Sequence, residues 1–426
     1  NSQFPFVTNV RDGICYRYDI ATGQIGSSIF TSQLALGEFI DRLRQILEGS
    51  TIAHTGWENT INTDEDEYYL AKNGMGIKVT RENGRVVRAQ GGFQLENERE
   101  GLEANSPGIL YCNVDQQENT KYQNGYTFTM DAPLIPAARS VFGVLANMPR
   151  GAQGYVDQTA DTNPFYEFFR LCDEYDTEFI RSSGLVDESK YDMSIPSSSA
   201  SMQRILSLYR TFVSEKAVDC RVQFFNNFNY TVLVPSNEAI REAIDNGLPT
   251  WESIREDFDS SSEDGVLKTA EDSLRIQAKI IYLTNFVRSH FVDKSYFADK
   301  STMAETTVTT NSFNRETGMF VKYRIKREMS GVLSIQDAYN TGSWKQTIAE
   351  SHGLATQNIM TCDRELSGEV KNNANLNNIR FNATSYAVVH LIDGVLQHTN
   401  QKPAQLWGNK SAAENARLYI KRFAIQ

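Results

Sequence analysis

Tyr230-Thr-Val-Leu-Val-Pro-Ser-Asn-Glu-Ala-Ile240 is the stretch from which the fold can be argued. Thr231 to Val234 are three β-branched residues and a leucine, a composition that suits a buried strand. Pro235 has no N–H to give a ladder, so the strand stops there. Ser236 stands where a helix cap is needed, and Glu238 adds negative charge near the positive helix end. Asn246-Gly247 supplies a left-handed stop, and Pro249 prevents the helix from resuming.

Working outward, Ser385-Tyr-Ala-Val-Val-His-Leu-Ile-Asp-Gly-Val-Leu396 is apolar on both faces. It reads as a central strand ending at an Asp393-Gly394 turn. The apolar segments near 230 and near 390 are therefore expected side by side in one sandwich core. Between them lies the most strongly helical segment, Leu274 to His290. Its row Ile276, Ile280, Leu283, Val287 adjoins Ala278, Ile281, Tyr282, Phe286, giving a broad buried face.

Other segments are plainer. Residues 1–30 read as short strands and turns, Leu34 to Leu47 as a helix, and Asn59 to Glu67 as an acidic loop. Tyr68 to Val79 should be strands around Asn73-Gly74, and Gln123 to Asp131 a half-buried strand. Val141, Val144 and Leu145 mark a short helix. Asn163-Pro164 starts another, with the stripe Phe165, Phe168, Phe169, Cys172. Ile205, Leu208 and Phe212 mark a helix ahead of the opening motif. Residues 181–201 read as a mobile Ser-rich insertion, 259–265 as a flexible break, and 337–377 as an insertion or elaborate loop. Residues 319–335 read as strands, with Lys322-Tyr-Arg-Ile-Lys-Arg327 giving one solvated face.

At 426 residues the chain favours two domains. The boundaries are read as 1–147, a linker 148–162, a larger domain 163–400 and a tail 401–426. Forty-two basic against fifty-three acidic residues give a net charge of −11, which argues against a nucleic-acid partner. No apolar run is long enough to cross a membrane, so any export signal or anchor is expected outside this stretch. Cys15, Cys112, Cys172, Cys220 and Cys362 contain no C-x-x-C pair, which removes the usual zinc and redox motifs. Cys172 belongs to an apolar stripe and reads as a buried thiol.

Two pairs of segments repeat in the same order across the halves. Gly74-Met-Gly-Ile-Lys78 matches Gly318-Met-Phe-Val-Lys322, and Tyr126 to Leu134 matches Val388 to Leu396. Their shared order is the mark of a divergent tandem duplication. In the second half, Thr231-Val-Leu-Val-Pro-Ser-Asn237, the segment Asn285-Phe-Val-Arg-Ser-His290-Phe291 and Ala387-Val-Val-His-Leu-Ile-Asp-Gly-Val-Leu396 together resemble the motifs of the fasciclin-type adhesion domain family. The first half resembles the later part of such a domain, through Asn124 to Leu134. Ser289 stands where the family carries the Tyr of a Tyr-His pair, and no counterpart of the opening motif precedes Phe39. The resemblance implies an α+β fold of tandem fasciclin-like domains, each a wedge-type β-sandwich with packed helices, the first partial or divergent and the second complete and enlarged. It also implies an exported, surface-displayed adhesion module, closest to the bacterial lipoprotein branch.

The chemistry-bearing residues each carry a plainer alternative. His290 and His390 fit a ligand or base, but a core histidine bonded to a neighbouring loop is the weightier reading. Asn237 and Asp393 fit an adhesive surface, or a helix cap and a turn former. Asn62, Asp64 and Asp66 alternate like the start of a calcium loop, yet Glu67 and Asn73 stand where an EF-hand needs Gly and Glu. His54 with Glu58 and Asp64 lacks metal-ligand spacing. Trp57, Trp251, Trp344 and Trp407 lie in polar contexts and would be protein or glycan contacts if exposed. No G-x-S-x-G elbow, Walker loop or dinucleotide glycine set is present. The expected function is non-catalytic cell-surface adhesion or binding of an extracellular protein or glycan, with no cofactor, metal or catalytic residue, and with Asn237, His290 and Asp393 as motif candidates for binding. The alternative is a surface carbohydrate-active enzyme or glycan-binding accessory protein, since paired carboxylates need only proximity in space.

Overall fold

The computed structural model describes residues 6–9, 14–19, 24–30, 47–53, 66–103, 108–115, 120–122, 124–148, 158–172, 177–212, 222–224, 229–300, 303–339, 343–366, 381–408 and 412–425. The fold is mixed α and β. Its centre is an eight-stranded sheet in the spatial order Lys345–Gln346, Leu333–Asp337, Met319–Arg327, Met303–Asn314, Phe291–Asp293, Asn229–Pro235, Phe381–Ile392, Ile359–Leu366.

The two apolar segments are direct neighbours. Asn229 pairs with Tyr386, and the register runs to Pro235 against Ile392, the only parallel ladder among the described residues. A parallel pair needs a long crossover, which here carries the helices Asn237–Asp245, Trp251–Ser261 and Ala270–Ser289 and most of the antiparallel strands. The 229–235 strand is buried along nearly all its length, as its β-branched composition demands. Ser236 caps the following helix by accepting from the Ala239 N–H at 3.3 Å. Gly247, at φ +98, ends that helix in a backbone state costly for any side chain.

The sheet curls on itself. Beyond Gln346, the Thr347 N–H donates to Leu333 on one side, while Ile348 donates to Leu391 on the other. A bridge joins Thr347 to Ile392. One edge of the sheet is thereby stitched to a strand near the opposite edge, leaving fewer unpaired backbone groups. The helix Ala270–Ser289 packs in the main core, with both of its apolar rows buried. Ile280 and Leu283 are wholly inaccessible, and cutting either to alanine would cost about 2–5 kcal/mol.

The first half contributes a four-stranded antiparallel meander, Glu67–Leu70, Gly76–Glu82, Arg85–Gln90 and Cys112–Asn113. The strands Met303–Asn314, Met319–Arg327, Leu333–Asp337 and Lys345–Gln346 repeat that order. Each meander closes with the same clasp. Asp131 donates its N–H to the Asn113 carbonyl and accepts the Asn113 N–H at 2.8 Å. Asp393 donates to the Gln346 carbonyl and accepts the Gln346 N–H at 2.9 Å. These are the aspartates of the repeated segments.

The smaller meander rests on the main sheet. Its core joins Ile77, Val79 and Cys112 with Cys362 and Tyr386 of the large sheet, and Tyr68 stacks on Phe297 at 5.1 Å. The buried carboxylate of Asp363 ties the layers. It accepts from the Val141 N–H at 3.0 Å, the Val222 N–H at 3.2 Å and the Tyr230 hydroxyl at 2.6 Å. Val141, Phe142 and Leu145 share the main core with Phe165, Phe168 and Phe169, so that core takes in residues on both sides of the expected linker.

Several segments differ from their sequence reading. Pro196-Ser-Ser-Ser-Ala-Ser201, read as insertion, is the beginning of the helix Pro196–Ser207, with proline at its first turn. Residues 259–265 are the end of the helix Trp251–Ser261 and a small hairpin, in which Asp264 and Gly265 take positive φ. Within 337–377 lies the strand Ile359–Leu366, an edge of the main sheet. The strand expected over 123–131 is confined to Gly125–Thr127, with a bridge at Met130. The helix expected over 34–47 and the acidic loop lie almost wholly outside the described residues.

Candidate functional site

The parallel ladder brings two chain exits together. The strand ending at Pro235 leads to Ser236, and the strand ending at Ile392 leads to Asp393-Gly394. The Ser236 N–H donates to the Ile392 carbonyl at 2.9 Å and fastens one exit to the other. A cleft of about 480 Å³ opens at this point. The carboxyl ends of parallel strands commonly frame ligand sites, because the chain diverges there and leaves a crevice.

The cleft has an aromatic floor and charged walls. Tyr282 and Phe286 rise from the long helix to form part of the floor. The Tyr282 hydroxyl has no hydrogen-bond partner among the described residues, and burial pushes its pKa up to about 12. Glu238 and Glu242 stand four residues apart on the helix Asn237–Asp245, facing one side as that spacing requires. Lys345 and Lys402 also line the cleft, and Lys345 touches the Ser343 hydroxyl at 3.2 Å. Glu238, Glu242 and Lys402 have no ion-pair partner among the described residues. Gly394 serves by close approach, since its φ is not positive. A Cβ built there would lie 2.7 Å from Cδ of Lys345, so the glycine makes room for the lysine stem.

The three motif candidates meet different fates. Asp393 lines the cleft, exposed, with one carboxylate oxygen holding Gln346. Asn237 is buried and turned away. Its Oδ1 accepts from the Glu167 N–H at 3.0 Å, and its Nδ2 donates to the Ala160 and Asn163 carbonyls at 3.0 and 2.9 Å. It fastens the 160–167 segment, while capping belongs to Ser236. His290 lies beneath the floor with both nitrogens engaged. Nδ1 donates to the Phe286 carbonyl at 2.8 Å, and Nε2 accepts from the Leu396 N–H at 3.2 Å. Burial lowers its pKa to about 4.

His390 has the same arrangement, donating to the Tyr296 carbonyl at 2.8 Å and accepting from the Asn358 N–H at 3.2 Å. Trp251 is buried, with its indole N–H on the Leu171 carbonyl at 2.9 Å. Trp344 packs beneath Lys326 at 4.6 Å, and Trp407 meets Tyr282 edge-on at 5.6 Å. Among the described residues no cluster of three or more His, Cys, Asp or Glu is arranged to hold a metal ion. His54, Glu58, Asn62 and Asp64 lie outside them, while Asp66 accepts from Thr80 and pairs with Lys78.

Sequence reasoning singled out Asp393 and quoted Glu238 only as a helix-end charge. Tyr282, Glu242, Lys345 and Lys402 carry no local signal; the curl of the sheet and the helix register bring them together. No family model, curated protein or solved structure matches the chain.

Proposed function

We propose that the chain is a non-catalytic binding or adhesion protein built from two fasciclin-like modules, exported and displayed at a cell surface. Recognition of an extracellular protein or glycan takes place at the cleft between Ser236 and Asp393. One observation carries this reading: the unpaired charges of Glu238, Glu242 and Lys402 surround a largely buried aromatic floor, while Asn237 and His290 are fully engaged inside the protein. Polar groups left without partners at a crevice are available to a ligand. The duplicated meander and its aspartate clasp support the two-module reading.

The test is a panel of glycans and immobilised extracellular proteins, screened with the full chain and with Glu238→Gln and Lys402→Gln. Both substituted residues are exposed, so the variants keep the fold. A ligand held by the wild type and released at least tenfold more readily by either variant supports the cleft. Equal binding by all three removes it. A second reading, a carbohydrate-active enzyme, draws on the carboxylates of Glu238, Glu242 and Asp393 lining one cleft. Glycoside hydrolysis abolished by Glu238→Gln would favour it over simple binding.

A further inference from the structure

We propose that the notch between the helices Pro196–Ser207, Ala270–Ser289 and Ala412–Phe423 is a second binding site, for a small amphiphile with one carboxylate head and a short apolar body. It stands apart from the cleft and does not depend on the reading above. The notch holds about 380 Å³, toward the lower end of the roughly 300–1,000 Å³ usual for small-ligand sites. Leu185, Ile205, Ile281 and Ile425 give it apolar walls.

Unpartnered polar side chains line it. Tyr209 is only 4% exposed, and its hydroxyl meets no hydrogen-bond partner among the described residues. A phenol without a partner at a crevice is a donor available to an acceptor. Arg315 is exposed, and its guanidinium has no ion pair among the described residues. Its backbone N–H donates to the Arg422 carbonyl at 2.8 Å, which fixes the residue beside the end of the helix Ala412–Phe423.

A second guanidinium reinforces the charge. Arg288 donates to the Leu208 carbonyl at 2.7 Å and covers the Phe224 ring at 4.8 Å, with its Nε unpartnered. The acids nearby are already taken. Asp187 lines the notch but accepts from the Ser189 hydroxyl at 2.6 Å and pairs with Lys190 at 3.5 Å. Glu316 pairs with Arg422 at 2.7 Å. A negative head is thus matched to the local charge. A guanidinium and a phenol suit the two oxygens of a carboxylate, while the other nitrogens that line the notch are engaged: Lys190 pairs with Asp187, and Gln277 donates to the Ser183 carbonyl.

Calorimetric titration of the full chain with sodium decanoate, decyl phosphate and decyltrimethylammonium tests the assignment. Decanoate is expected to bind at least tenfold more tightly than the other two. Arg315→Gln is expected to weaken decanoate about tenfold or more, with Tyr209→Phe weakening it less. Arg315 is exposed, so its variant folds, and an unchanged thermal midpoint verifies that. Absence of decanoate binding, equal affinity for the cationic analogue, preference for decyl phosphate, or indifference to both substitutions would each overturn the proposal.

Discussion

Asn237 shows how one amide can hold a distant segment in place. Its three hydrogen bonds reach a segment more than sixty residues earlier in the chain. Asn237→Ala takes the partner from the half-buried Glu167 N–H and Ala160 carbonyl, while the Asn163 carbonyl keeps the Tyr166 N–H; each unsatisfied group costs about 1–3 kcal/mol when fully buried. The expected loss is about 1–3 kcal/mol in urea unfolding, with the Ser236 cap intact. The buried imidazoles set a pH dependence. His290 and His390 each use one nitrogen as donor and one as acceptor, a pattern that only the neutral ring allows. Burial lowers both from 6.5 to about 4, and His398 to about 3. Between pH 6.5 and about 4 the unfolded chain takes up protons that the folded chain refuses. Stability is therefore full above pH 6.5 and falls with acid across that window. Urea midpoints measured from pH 7 to pH 4.5 should decline, and less steeply in His290→Gln. Asp363 works the other way: burial raises its folded pKa above 3.8, so its contribution fades as pH rises through the folded value. The plainer reading of His290 and His390 was legible in the sequence, because a lone histidine in an apolar row is more often a satisfied core residue. The partners of Asn237 were not legible, since nothing local points to a carbonyl in a distant segment.

At the scale of elements, the aspartate clasps are the feature most open to test. Asp131 and Asp393 each hold a two-residue edge strand that has few other backbone bonds. Asp393→Ala should cost about 1 kcal/mol and speed amide exchange at Gln346, with the strand Phe381–Ile392 still protected. Unchanged exchange at Gln346 would mean that the ladder alone suffices. Elements with strong periodicity could be read directly: the strand ending at Pro235, the helix Ala270–Ser289 and the hairpin around Gly74, whose φ is +87. The misread elements share a physical cause. Serine and aspartate runs favour loops locally, yet Pro196 starts a helix. Farther on, Asp257 gathers Arg275 and Lys279 at 3.0 and 2.6 Å against the end of another helix. The edge strand Ile359–Leu366 sits in polar sequence, and only Met360 and Cys362 reveal the second sheet packed upon it.

At the scale of the molecule, the meander of the first half and the main sheet meet through a tight seam. Gly76 lies in that seam, and a Cβ built on it would stand 2.8 Å from Met360 and 2.9 Å from Phe297. Gly76→Val should destabilise by about 1–3 kcal/mol through overpacking, measured as a drop in the thermal midpoint. Amide probes in both halves should melt together in the wild type, because Cys362 donates to the Arg139 carbonyl at 2.9 Å and Asp363 reaches Val141. Separate transitions in the wild type would show that the seam does not couple them.

The parallel ladder between the strands Asn229–Pro235 and Phe381–Ile392 also dictates the order of events at the ribosome. Residue 229 must wait for residue 386 to be synthesised before its partner exists, so the middle of the sheet is the last place to close. Until then, a strand that the finished fold buries along nearly all its length presents one bare edge to its surroundings. Translation that stalls before residue 381 should therefore leave a nascent chain that engages holdase chaperones and aggregates when they are depleted.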